Sequence, residues 1–526
     1  MKNKQIAAPC WRALAAACAL VLSACGGGGS STVPVPVPVP VPPALVDQAY
    51  TDPLSYSNSA DAALAAGDEH AALVHLQQTL DGRAISYSAT SGHLTASDVR
   101  SGRPSASFFY VAYTGEQQDP ATRALTFFYN GGPGSASLWL HMGSFGPKRM
   151  VTNIPSTVMP APAQLVENPD SLLDTTDMVF VDAIGTGYSQ AIAPNTNASF
   201  WGTDTDAAAF RDFVRRYIEV NHRQQSPIYL FGESYGGPRT AVLANLLELA
   251  GVRLTGLVLQ SPILDYNANC GMFGPDESSC EGYLPTYAAI GAYHQLSRPA
   301  PTDLGVFIAQ ARAFSAEAYH GAVSAYIANK TAPAPAVLTQ LAASTGMPEA
   351  RWRQDVDLGP GTFQFQLLAG QLMGRYDARV IAPTGSALAQ GGDPSLAVIN
   401  AAFSSSVAPY LNNSLKYSAR SDYISSANNI GSWKFSHDGK VLPDTVPDLA
   451  AAILQNPGLK VLAMSGYYDL ATPFYQTERD LARLGANPNI HIRNYASGHM
   501  AYLDNLVRPV QRVDLRSFYA NTMTGP

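Results

Sequence analysis

The 526-residue chain is predicted to be an α/β protein with a mainly parallel central sheet, helices on both faces and a large cap insertion. Three observations predict this. From about residue 82 to 260, apolar runs of strand length alternate with helical stretches, the pattern that parallel strands joined by crossover helices require. One run, Ile228-Tyr229-Leu230-Phe231, passes through Gly232-Glu233-Ser234-Tyr235-Gly236-Gly237 into helix-forming residues 238–250. The alternation stops near residue 261 and resumes at 459 with two further strand-like runs.

The elements follow in order. Residues 1–24 open with Lys2 and Lys4, carry an Ala/Leu-rich run over 13–22 and end in Leu22-Ser23-Ala24 before Cys25. The run is too short to cross a bilayer and sits behind positive charge, which describes a secretory signal. Leu22-Ser23-Ala24-Cys25 resembles the bacterial lipoprotein cleavage box. That implies lipidation of Cys25 and an exported, cell-envelope protein, an outer-membrane lipoprotein, that touches the membrane through its lipid anchor only. Residues 25–43 form a Gly-rich and then Val-Pro-rich tether. Its last eleven residues favour polyproline II and span roughly 34 Å.

Residues 44–260 form the first part of the core. The alanine-rich stretch 57–78 is expected to be helical, and 82–90, 107–113, 124–129 and 177–182 are expected to be strands. Helix 204–221, strand 227–231, the elbow helix and strand 254–260 complete this part. Residues 261–457, richer in Tyr, Asn, Ser and Pro, are the cap, with helical patches near 304–324 and 334–343. Placed between two core strands, they would cover the strand ends where open α/β sheets bind ligands. Residues 458–526 return to the core with strand 459–465, helix 474–484 and strand 489–495.

A net charge of −7 speaks against nucleic-acid binding, and losing Lys2, Lys4 and Arg12 with the signal makes the chain three charges more negative. Cys10 and Cys18 leave with the signal too, so Cys270 and Cys280 remain as the pair that an exported chain would join in a disulfide. No Cys/His spacing suits a metal and no phosphate loop is present, so neither metal nor cofactor is expected.

The chemistry is expected at the strand-to-helix turn. Gly232 and Gly236 flank Ser234 where a Cβ would clash, which leaves the Ser234 hydroxyl exposed above the sheet as a nucleophile. A serine needs an imidazole to take its proton, and the imidazole needs a carboxylate to fix its tautomer. His499 follows the last strand in Ser497-Gly498-His499-Met500, whereas His491 lies inside a strand. Asp469 follows the strand that ends at Ser465-Gly466, while Asp480 is mid-helix and Asp504 comes after the histidine. The strand-helix-strand unit that carries Asp469 after its first strand and His499 after its second returns both to one sheet end.

With these residues, the chain resembles the serine carboxypeptidase family of the α/β-hydrolase superfamily. The motifs that carry the resemblance are Asn130-Gly131-Gly132-Pro133-Gly134, Gly232-Glu233-Ser234-Tyr235-Gly236-Gly237 and Gly498-His499-Met500, with Asp469 behind Gly466. Asn168-Pro169 and Gly185-Thr186-Gly187-Tyr188-Ser189 add to it. It covers about residues 82–260 and 459–505, and the cap does not obviously match. The resemblance implies an α/β-hydrolase fold, a peptide substrate and a triad of Ser234, Asp469 and His499. It also implies an oxyanion hole from the N–H groups of Gly132 and Tyr235, and binding of the substrate's C-terminal carboxylate by Asn130 and Glu233. Three positions depart from it: the family has Trp at Phe128, Cys at Ser135 and a second Glu at Ser144. The first two affect packing or bridging, and the third removes a member of the carboxylate-binding network. An esterase, acyltransferase or aminopeptidase on the same scaffold is therefore the alternative, followed by a non-catalytic binding lipoprotein.

Overall fold

Ten strands pair into one sheet among residues 46–98, 101–273 and 279–523, which the computed structural model describes. The signal, the Cys25 lipidation site and the tether lie outside the described residues. Nine strands position the site: β1 (Ala71–Leu80), β2 (Arg83–Ser97), β3 (Pro104–Gly115), β4 (Ala124–Tyr129), β5 (Thr176–Val181), β6 (Ile228–Glu233), β7 (Leu254–Gln260), β8 (Lys460–Gly466) and β9 (Ile490–Tyr495). Their spatial order is β9-β8-β7-β6-β4-β5-β3-β2-β1. Every pairing from β9 to β5 is parallel, whereas β3, β2 and β1 extend the sheet by antiparallel pairing. This is the α/β-hydrolase fold.

The parallel strands read as continuous apolar runs because both faces are covered. Their side chains alternate between two cores. Phe128, Phe231, Val258 and Leu462 enter one, while Phe127, Leu230, Leu257 and Val461 enter the other. Phe128 stacks on Phe180 at 4.8 Å and on Phe231 at 4.7 Å, so phenylalanine fills this position by aromatic packing. Helices α2 (Thr203–Val220) and α3 (Gly236–Leu249) cover the second face through Phe210, Phe213, Val214 and Leu243. Helix Arg508–Tyr519 contributes Leu515 and Phe518 to the first.

Two readings of the sequence are corrected. Residues 57–78 are not a helix: their last part is β1, whose ten residues pair antiparallel with β2. In β1 the buried Ala72, Val74, Gln78 and Leu80, with the partly buried Leu76 between them, lie on one face, a period of two that the alanine content hid. The stretch between β7 and β8 is also not a cap throughout. Helix Val446–Gln455 buries Val446, Leu449 and Ala452 in the sheet's second core, and helix Pro394–Leu415 buries Val398, Phe403 and Val407 in its first. A separate core around Tyr283, Tyr287, Trp352 and Phe363 belongs to the insertion and borrows Leu470 and Phe474 from the segment after β8.

His437 ties the end of the insertion to the sheet layer. Its Nδ1 lies 2.6 Å from Asp204 Oδ1 in α2, and its Nε2 lies 2.8 Å from Asp448 Oδ2 in helix Val446–Gln455. The hydrogen bond to Asp448, joined by that to Asp204, outweighs partial burial and pushes the imidazole pKa up to about 9. A raised folded-state pKa stabilises fully below the unfolded value of about 6.5, and that contribution is lost as pH rises through about 9. His437→Gln is therefore expected to lower Tm at pH 6, with the gap to the parent closing by pH 10. A gap of constant size in thermal unfolding would assign the contribution to packing instead.

The sheet order places the chemistry. β5 lies on one side of β4 and β6 on the other, so the strand order reverses direction at β4 and a crevice opens beyond the C-terminal ends of β4 and β6. Register aligns those ends: Gly232 sits opposite Tyr129, Glu233 opposite Gln260, and Gly466 opposite Tyr495. The loops after β4, β6, β8 and β9 thus meet at one edge.

Candidate active site

At the turn from β6 into α3, Ser234 holds φ 60°, a left-handed conformation uncommon for a residue with a side chain. The turn is held by Ser234 N–H donating to Gln260 O at 2.9 Å and by Gly237 N–H donating to Ser234 O at 2.8 Å. Gly232 is obligatory by sterics, since a Cβ there would lie 2.3 Å from both Gly236 O and Thr240 Oγ1. Gly131 is equally confined, because a Cβ would lie 2.4 Å from the Tyr235 nitrogen. The Gly131-Gly132 backbone thus runs against the N–H groups that open α3, where helix-terminal donors favour negative charge.

Asp469 and His499 meet across the edge, with His499 Nδ1 2.7 Å from Asp469 Oδ2 and both side chains buried. Asp469 Oδ1 accepts the N–H groups of Ala471 and Thr472 at 2.7 and 3.0 Å, and Oδ2 also accepts the Thr472 hydroxyl at 2.8 Å. A carboxylate held this way can only accept from Nδ1, which leaves Nε2 free to take a proton. Burial opposes the imidazolium of His499, but the charge and hydrogen bond of Asp469, helped by Glu233, raise its pKa above the usual value. Ser234 and His499 line one cavity of about 310 Å³ together with Asn130, Gly132, Glu233 and Trp139. A wider open groove of about 1250 Å³, lined by Arg103, Arg215 and Arg216 among others, holds no histidine or cysteine and offers no such pair.

Asn130 is fixed through its side-chain oxygen, which accepts the Leu140 N–H at 3.0 Å, and through its carbonyl, which accepts from the buried Arg239 at 2.6 Å. Glu233 is buried, and burial pushes its pKa up to about 7 against the pull of His499, Tyr502 and Asn130. Among the described residues none meets its Oε2 in full hydrogen-bond geometry, although Tyr502 and Asn130 lie within reach of the carboxyl. Ser144 is turned away: its hydroxyl donates to Leu140 O at 2.6 Å in the short helix α1 (Leu138–Gly143). Cys270 and Cys280 are joined by a disulfide and pack with Tyr283 in the insertion's own core.

Four residues around this site escaped sequence reasoning. Thr472 had a local signal, since an Asp accepting from the backbone two and three residues on makes a familiar turn. Tyr376 had none: it comes from the insertion, stacks on His499 at 4.6 Å, and accepts the His499 N–H on its carbonyl at 2.6 Å. Arg379 secures that segment, donating to Asp377 at 2.7 Å, to Asp504 at 2.9 Å and to the Ala496 carbonyl at 3.0 Å. Tyr502, three residues beyond His499, is fully buried with its hydroxyl within reach of Glu233 and Asn130.

Comparison with known proteins agrees with this picture. Residues 81–273 match the family model described as serine carboxypeptidase, a span that includes the elbow and the Asn130 loop and ends before Asp469 and His499. Serine carboxypeptidase S10 family member 1 of Dictyostelium discoideum is 27% identical over 178 residues, covering 32% of this chain and 40% of the relative. Serine carboxypeptidase-like 26 of Arabidopsis thaliana is 24% identical over 197 residues, covering 36% of this chain and 41% of its own. The chain thus spans about two-fifths of the length of these curated relatives. Among solved structures, the prohormone-processing carboxypeptidase KEX1 of Saccharomyces cerevisiae superposes with a TM-score of 0.53 at 15% identity, covering 83% of this chain and 92% of that one. That likeness concerns the fold.

Proposed function

We propose that this protein is a serine carboxypeptidase that removes C-terminal residues from peptides through an acyl-enzyme on Ser234. The observation that supports this reading most is the fully buried carboxyl of Glu233 in the same cavity as Ser234 and His499, where burial pushes its pKa up to about 7. A buried acid beside the nucleophile needs a partner that can take its proton. A peptide's C-terminal carboxylate is one, because a protonated Glu233 can donate to it while Asn130 supplies a neutral donor.

In this mechanism Ser234 Oγ attacks the scissile carbonyl as its proton passes to His499 Nε2. Asp469 stabilises the imidazolium, and the N–H groups of Gly132 and Tyr235 receive the oxyanion. Collapse breaks the C–N bond, and His499 returns the proton to the departing amine of the C-terminal residue. Water then attacks the acyl-enzyme with His499 again as base, which releases the shortened peptide.

The pH dependence follows from the two titrating groups. Carboxylate binding needs Glu233 protonated, so KM for free-acid peptides rises as pH passes through about 7. Amide substrates lack that dependence and follow the neutral fraction of His499. A peptide with a free C-terminus is therefore expected to exceed its C-terminal amide in kcat/KM at pH 5–6, with the ratio shrinking above pH 8. Equal constants for the two at every pH from 4 to 8 would overturn the carboxypeptidase reading.

Envelope anchoring through Cys25 belongs to the same proposal and rests on the cleavage-box motif and the tether behind it. Among the described residues no helix is long and apolar enough to cross a membrane. Cys25→Ser is expected to move the protein from the membrane to the soluble fraction after cell breakage. Retention on membranes through a high-salt wash would refute lipid anchoring at this residue.

A further inference from the structure

Where the family resemblance implies a second acid this chain has Ser144, and the space beside it is filled. A Cβ on Gly143 would lie 3.1 Å from Tyr502 Cε2 and 2.8 Å from Leu503 Cδ2, so the Tyr502 ring rests directly over the end of α1. The short 3₁₀ turn Ala501–Leu503 that carries this ring follows His499 at once, and the Tyr502 carbonyl is held by Arg508 at 3.1 Å. The loop that presents His499 therefore also presents Tyr502. Its phenol lies within hydrogen-bond reach of Glu233, whose charge also acts on it, and of Asn130. Both the Tyr502 hydroxyl and Glu233 Oε2 are buried, and among the described residues neither meets a partner in full hydrogen-bond geometry, although each lies within reach of the other. Two such atoms are costly to leave unpaired, so a small adjustment that joins them is favoured.

We propose that Tyr502 donates its hydroxyl to Glu233 and thereby sets when Glu233 holds the proton with which it receives the substrate's C-terminal carboxylate. This rests on the carboxypeptidase reading and deepens it. A second carboxyl would hold an extra proton in the network, whereas a phenol is a donor that stays neutral throughout the working pH range. Recognition then depends on the proton of one residue, Glu233, with Tyr502 favouring its ionised form. The other groups that face Glu233 are His499 and Asp469 across the cavity and Tyr376 from the insertion. Tyr502 is thus a positioning residue for Glu233, and it sets the pH at which free C-termini cease to be bound tightly.

Tyr502→Phe tests this, because phenylalanine keeps the ring over Gly143 and removes only the hydroxyl. KM is measured between pH 5 and 9 for a blocked dipeptide with a free C-terminus and for its methyl ester, with folding checked by thermal unfolding. For the free acid, the rise in KM is expected to begin about one pH unit higher than in the parent, the scale of one hydrogen bond to a charged group. The ester's profile is expected to keep its position on the pH axis. In a Glu233→Gln background the same change is expected to shift nothing, since no proton is left to move. Superimposed free-acid curves for parent and Tyr502→Phe, or equal displacement of acid and ester curves, would overturn the inference while leaving the carboxypeptidase reading intact. If neither protein prefers a free acid to its amide at any pH, both fall together.

Discussion

Ser234→Ala is expected to lower kcat by about 10⁵–10⁶-fold on every substrate, the scale at which removal of one triad member disables the whole unit. Stability is expected to stay at the parent's level. Alanine keeps the Cβ, so the left-handed conformation at φ 60° is no more strained than before, and the backbone bonds to Gln260 and Gly237 do not involve the hydroxyl. What disappears is the hydroxyl that the proposed mechanism uses to attack. An active-site fluorophosphonate, read by intact mass, is expected to add to the parent and not to the variant. Equal labelling of the two would place the nucleophile elsewhere and remove the acyl-enzyme with it.

Asp469→Asn is expected to lower kcat by about 10⁴-fold with little loss of fold, for a different physical reason. Asn Oδ1 can still accept from Ala471 and Thr472, so the turn after β8 survives. The amide nitrogen then replaces Oδ2 and presents an N–H to His499 Nδ1, which forces the ring proton onto Nε2, the nitrogen that must be vacant. The acid limb of kcat/KM is also expected to move to lower pH. Burial alone disfavours the imidazolium, and Asp469 is the largest influence that raises its pKa against that burial. A variant whose rate falls while its acid limb keeps the parent's position would show that Asp469 acts on folding or packing and not on His499.

The residues expected from the sequence to form the site are gathered at one sheet edge. Ser234, Gly132 and Glu233 line the cavity with His499, and Asp469 lies behind His499. These were legible because each stands in a turn directly after an apolar strand, where glycine spacing marks the backbone and parallel pairing brings the strand ends level. The strands themselves were legible wherever both faces are buried, as in β4, β6, β7 and β8. β1 was not, because its alanines and glutamines suit a helix equally well, and only its pairing with β2 decides the period. The inner surface of the insertion was hidden for a related reason: its residues carry no local pattern that says what they touch.

The sequence by itself thus determined the fold class, the chain order of Ser234, Asp469 and His499, and the turns that carry them. These follow from local rules: apolar period, the conformational freedom of glycine, and the length of a crossover. Only the tertiary structure decided how the site is enclosed and how its protons are held. Arg379 reaches Asp504 across 125 residues to hold Tyr376 against His499, and Tyr502 comes over the end of α1, within reach of Glu233. Burial and neighbouring charge set proton affinity, and both are sums over contacts between segments far apart in the chain.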